Sequence, residues 1–322
     1  MKSTLFTTTV ALALALITAG ALRADTFGNG TTTNFTLDFV TVGNPGNAVD
    51  DTGYGAVADT FRMGTYEVSR DMINKANDLG NLGVTLADMA PYGGNGVDKP
   101  ATGVSWNEAA RFVNWLNVNA GYTAAYKFNV QSGGGGYSAN AYLVLWAPTD
   151  VGYNASNLYR NSNAKYVLPS ENEWYKAAFY SLGGTYYNYA TGSDAIPTAV
   201  AGGTASGTAV YDGQGGPTNI TMAGGLSPYG TMGQDGNVWE WSESAYDGAN
   251  STTSENRGIR GGDWLNSEGF LRSSYRNYFV PTYEGLNFGF RVASVTSVPE
   301  PSTYAMLGAG ALGLLALRRR RA

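Results

Sequence analysis

The sequence predicts an α+β fold, rich in loops, with short strands and two or three helices. Two segments carry a capping box followed by an apolar stripe at helical spacing, the pattern of a helix whose first turn is satisfied by its own side chains. Elsewhere the chain is cut into short aromatic pieces separated by glycine, of which there are 44 in 322 residues. Such punctuation favours turns and short strands over regular layers. No repeat with a period of roughly 20–50 residues is present, so neither a solenoid nor a propeller is expected.

The first helix signal is weak and spans Ser69 to Asp78. The second is strong: Ser105 and Glu108 form the box, Trp106, Ala109, Ala110, Phe112, Val113 and Leu116 form the stripe, and Gly121 can close the end. The third follows Pro169, with Ser170 and Glu173 as the box and Trp174, Ala177 and Ala178 as the buried face. Gln131–Tyr137 and Ala201–Pro217 read as loops. Gly133 to Gly136 lacks both a Lys-Ser/Thr ending and a preceding apolar strand, so it is a surface loop and not a phosphate cradle.

Missing residue types exclude most familiar chemistries. The chain has no His and no Cys, hence no Ser-His-Asp or Cys-His relay, no thiolate nucleophile, no disulfide and no zinc-thiolate cluster. Six of the 20 basic residues and one of the 25 acidic ones lie at the two ends, leaving 14 bases against 24 acids in residues 25–299. A body that acidic repels phosphate backbones, so nucleic acid is not an expected partner.

The ends read as sorting signals. Residues 1–24 have a basic start at Lys2, an apolar run from Val10 to Ile17 and a small-x-small site at Ala19-Gly20-Ala21, with a second cut possible after Ala24. An N-terminal anchor is the alternative, but the run is shorter than the roughly 20 residues that span a bilayer. At the other end, Pro299-Glu300-Pro301 precedes an apolar stretch from Ala305 to Leu317 and four arginines, Arg318 to Arg321. These three parts in this order resemble the PEP-CTERM signal, which exosortase transpeptidases cleave. The resemblance implies export, a transient anchor by the short apolar helix, and delivery to the cell surface or its polysaccharide matrix. A plain tail anchor is the other reading. The expected organisation is a signal peptide (1–24), an N-terminal extension packed on the domain (25–60), the domain (61–296) and the sorting segment (297–322).

Five motifs occur in order in the body: Met63 to Ser69, Pro100 to Trp106, Tyr166 to Trp174, Gly236 to Trp241, and Arg260 to Trp264 closing with Asn287 to Ala293. Together they resemble the formylglycine-generating enzyme (sulfatase-modifying factor) family, whose domain is C-type-lectin-like. Members with that activity use two copper-binding cysteines; the matching positions here are Asn266 and Leu271, neither of which binds Cu(I) as a thiolate would. Related sulfoxide synthases hold iron through histidines, and this chain has none. No copper and no iron are therefore expected, and no catalytic residue is assigned.

The resemblance also implies a structural Ca²⁺ held through main-chain carbonyls and the Glu carboxylate at Asp235, Gly236, Val238 and Glu240, a donor set of hard oxygens suited to that ion. Glu240 capping a turn or pairing with an Arg is the competing reading. Trp106, Trp174, Trp239, Trp241 and Phe290 are expected in the core. Arg260, Arg272, Arg276 and Arg291 are expected to meet Asp263, Glu240 and Glu243 in buried pairs. The segment Asn266 to Asn277 occupies the position of the enzymes' substrate groove and mixes amides, guanidinium groups and a ring; Asn266, Arg272 and Tyr275 are its candidate ligand contacts, for extracellular polysaccharide or a surface protein, with a solvated loop as the alternative. The leading expectation is a secreted, non-catalytic binding or matrix protein whose partners include the secretion machinery and exosortase. An enzyme of carboxylate-based chemistry and a purely structural matrix component remain open.

Overall fold

A computed structural model describes residues 23–130 and 141–295. The signal stretch up to residue 22, the glycine run Gly133 to Gly136 and the sorting segment with its apolar stretch Ala305 to Leu317 lie outside the described residues. In chain order the elements are β1 (Arg23–Phe27), β2 (Phe35–Val42), β3 (Phe61–Gly64), α1 (Arg70–Gly80), α2 (Trp106–Asn119), β4 (Lys127–Phe128), β5 (Leu143–Val144), β6 (Tyr166–Val167), α3 (Glu171–Phe179), β7 (Thr198–Ala199), β8 (Thr208–Ala209), β9 (Trp239–Ala245), β10 (Arg257–Arg260), β11 (Asn277–Phe279), β12 (Phe288–Gly289) and β13 (Ala293–Ser294).

The helices begin where local chemistry places them. Ser105 accepts from the Glu108 amide while the Glu108 carboxylate accepts from the Ser105 amide at 2.9 Å, and Ser170 and Glu173 do the same at α3. Each box satisfies donors that a first turn leaves open. In α1 the Ser69 cap is completed by the Met72 sulfur in place of a carboxylate.

A five-stranded sheet has the order β1-β2-β3-β13-β6, which sets the C-terminal strand between two much earlier ones. Residues of the N-terminal extension are part of it: β1 and β2 pair antiparallel, Phe35, Leu37 and Phe39 alternate inward, and Phe27 meets Tyr166 edge-on at 5.1 Å. Arg23 and Ala24 already pair with Phe39 and Asp38, so a cut after Ala21 leaves β1 whole and one after Ala24 shortens it. A four-stranded sheet, β11-β10-β9-β12, stands beyond α2, with short pairs β4-β5 and β7-β8 at the periphery. The core lies between the sheets and α2, where Phe112 meets Phe290 edge-on at 5.6 Å and Trp106 donates to the Ser242 carbonyl at 2.9 Å.

Candidate functional site

Gly236 and Asn237 turn the chain into β9. Gly236 has φ +84°, and a Cβ there would fall 2.2 Å from the Val210 carbonyl oxygen, so the close approach requires glycine. Asn237 adopts a left-handed φ of 58° and spends both ends of its amide: Nδ2 donates to Glu67 at 2.6 Å and Oδ1 accepts from the Thr218 amide at 2.9 Å. The turn thereby delivers Glu240 into the interior.

Glu240 is fully buried, and both of its oxygens are occupied. Arg291 donates Nε to Oε2 at 2.6 Å and Nη2 to Oε1 at 2.5 Å, while the Trp174 indole donates to Oε2 at 2.6 Å. The same guanidinium donates to the carbonyls of Gly64 at 2.9 Å and Met232 at 2.8 Å. One ion pair thus ties β3, β9, α3 and the loop before Gly236 together. Glu67 lies beside it; burial, and then the Glu240 charge, push its carboxyl well above the usual range.

This arrangement does not fit the calcium expected at Asp235, Gly236, Val238 and Glu240. A cation there would have to displace a bidentate guanidinium from a buried carboxylate, which the low-dielectric interior opposes. Among the described residues no group of three or more His, Cys, Asp or Glu side chains stands close enough to hold a metal. Asp235 is also separate from the ion pair: its Oδ2 accepts from the Thr191 amide at 3.3 Å, Oδ1 has no partner, and burial raises its carboxyl to about 7.

The arginines find partners other than those expected from sequence. Arg260 and Arg276 both converge on Glu171, at 2.7 Å and 2.6 Å, a residue the sequence does not single out. Glu243 pairs with Arg160 at 2.8 Å, and Asp263 accepts from the Leu265 and Asn266 amides and from Asn287. Arg291 with Glu240 is the expected pairing that forms.

The positions that match the family's cysteines are Asn266 and Leu271. Leu271 is fully buried in an apolar cluster with Tyr189, Ala209 and Tyr211. The Asn266 Oδ1 is buried without a partner, and its carbonyl accepts from the Asp212 amide at 2.8 Å. Tyr275 is half-buried, with its ring 4.7 Å from Phe270 and 6.0 Å from Trp239. Arg272 alone of the candidate ligand triad is exposed, its guanidinium 5.7 Å from the Tyr189 ring. The expected core aromatics Trp106, Trp174, Trp239, Trp241 and Phe290 are all buried.

Folding brings Glu67 close to Glu240, 173 residues away in the chain, and the Met63 to Ser69 motif is the sequence signal that marks Glu67. Glu67 and Asp38 also border a recess of about 150 Å³. That volume is below the ~300 Å³ at which ligand pockets begin.

The model of the sulfatase-modifying factor enzyme 1-like domain matches residues 28–296, and the chain belongs to that family. The PEP-CTERM protein-sorting motif matches residues 297–321, which marks the chain for export and exosortase sorting to the cell surface. Treponema denticola variable protein 1 is similar in structure, with a TM-score of 0.55 and 20% identity over 85% of this chain and 99% of that one. CarF is similar with a TM-score of 0.55 and 21% identity, over 81% of this chain and 99% of that one. Both likenesses concern the fold, which is C-type-lectin-like as the motifs implied. No curated protein matches the chain.

Proposed function

We propose that the protein is a non-catalytic binding protein, exported and sorted by exosortase to the cell surface or its extracellular polysaccharide. One observation carries this reading: where the family's enzymes place copper-binding cysteines, this chain has Asn266 and a Leu271 packed into an apolar cluster, and it has no Cys elsewhere. A Cu(I) site needs soft ligands, and amide and hydrocarbon groups supply none. The sorting motif supports the destination, and a domain retained on the secreted side without redox ligands is suited to recognition. Arg272 offers the exposed charge of the Asn266, Arg272 and Tyr275 segment, with the other two residues shaping the surface around it.

The test uses the protein in its producing cell. Deleting residues 297–322 should release it into the medium, and that released protein should rebind washed extracellular matrix. Protein that stays in solution at every matrix concentration would refute the binding reading while leaving the sorting reading intact.

A further inference from the structure

We infer that an uncharged cleft beside the C-terminal end of α3 binds a neutral polysaccharide. The cleft has a volume of about 440 Å³, inside the ~300–1,000 Å³ range of ligand pockets, and three turns wall it. The first runs from Ser181 to Thr185 and is closed by the Ser181 amide on the Thr185 carbonyl at 2.8 Å. The second carries Thr191 and Gly192, and the third Leu226, Ser227 and Pro228. Gly192 has φ +72°, and a Cβ there would fall 3.3 Å from the Pro228 Cγ, so glycine lets the second and third turns close together. Ser227 donates its hydroxyl to the Ala177 carbonyl at 2.9 Å, which pins the third turn to α3.

The lining chemistry selects the occupant. No charged side chain lines the cleft, although residues 25–299 hold 14 bases and 24 acids. Asp235 lies behind the wall, buried and accepting from the Thr191 amide, and is not part of the lining. An anionic polymer therefore finds neither a guanidinium nor an ammonium to meet it, and the acidic body repels it. Leu182 and Leu226, each 50% exposed, supply apolar surface together with Pro228. Between them stand hydroxyls: no described residue accepts a hydrogen bond from Ser181, Thr185, Tyr187 or Thr191. The Thr191 Oγ1 is buried as well as unpaired, a cost that a ligand hydroxyl or a bridging water relieves.

A pyranose chain carries the same alternation, apolar C–H faces edged by hydroxyls that both donate and accept. Tyr187 is half-buried, with no second ring and no cation over it among the described residues, so the part of the ring that lines the cleft is free to meet a sugar face. A peptide is the poorer match. Extended peptides bind by adding to a free backbone edge, whereas the amides of Ser181, Thr185, Tyr187, Gly192 and Ser227 are all spent within the fold. The assignment rests on the binding reading above, and its residues are separate from Arg272.

The experiment is affinity electrophoresis of the purified protein in gels containing the extracellular polysaccharide of the producing cells, split by anion exchange into neutral and acidic fractions. The neutral fraction should retard the parent. Protease treatment of that fraction should change nothing, and periodate, which opens sugar rings, should abolish the effect. Tyr187→Ala should raise the dissociation constant about tenfold, the loss of one ring against a sugar face. Leu226→Asp puts a charge at a half-exposed position that the fold tolerates and should weaken binding at least as far, so the comparison survives if Tyr187→Ala melts early. No retardation by the neutral fraction, tighter binding to the acidic one, loss of retardation on protease treatment, or folded variants at Tyr187 and Leu226 that bind like the parent would each overturn the assignment. If Arg272→Ala abolishes binding and the cleft variants do not, the cleft falls and the binding reading stands.

Discussion

Asp235→Asn should make the protein's stability less dependent on pH. The Asp235 carboxyl is fully buried, receives only backbone N–H groups of Ala190 and Thr191, and leaves Oδ1 unpaired, so burial raises it from 3.8 to about 7. A carboxyl that binds its proton more tightly in the folded state stabilises the fold fully below its unfolded value, and that contribution is lost as pH rises through about 7. Ionising it costs up to ~4 kcal/mol, at ~1.4 kcal/mol for each factor of ten in proton affinity. For a domain of this size that corresponds to a fall of about 8–16 °C in melting temperature. Asn has the same shape and no charge at any pH. Calorimetry of parent and variant from pH 3 to 9 at constant ionic strength should give similar midpoints near pH 3, a variant that gains steadily on the parent between about pH 4 and 7, and a constant advantage above that. The absence of His clears the window of imidazole titration. Glu67, raised by burial, and Lys176, lowered by burial to about 8, titrate in both proteins and drop out of the difference. A difference that stays flat from pH 3 to 9, or that favours the parent at high pH, would refute the reasoning.

Arg291→Met should cost more stability than Glu240→Gln, because it leaves Glu240 and Glu67 buried without their cation, whereas the Gln variant leaves Arg291 bonded to Gly64 and Met232. Breaking a buried pair costs ~3–5 kcal/mol, so Arg291→Met should melt roughly 6–20 °C lower; an equal or smaller loss than for Glu240→Gln contradicts this. Millimolar calcium or chelator should leave the parent's melting curve unchanged, and a calcium-dependent rise abolished by Glu240→Gln would restore the calcium site. Incubated with copper and a sulfatase-motif peptide, the protein should convert no cysteine to formylglycine, a result read directly by peptide mass.

The sequence alone determined whatever depends on neighbours a few residues away. Each of the capping boxes at Ser105 and Ser170 spans a single helical turn, so its donors and acceptors are adjacent before any tertiary contact forms. The family's motif order and the sorting signal are likewise linear patterns, and the absence of Cys and His is a fact of composition. Charge partners were another matter. Arg260 and Arg276 meet Glu171 across separations of 89 and 105 residues, and Arg291 serves a carboxylate 51 residues away, because strand register selects which side chains share an interior. The motif at Gly236 to Trp241 likewise names Glu240 but not the Arg291 guanidinium and Trp174 indole that lie against it. The stack of Tyr54, Arg276, Tyr246 and Tyr278 is likewise tertiary, because its members belong to segments that meet only in the folded chain.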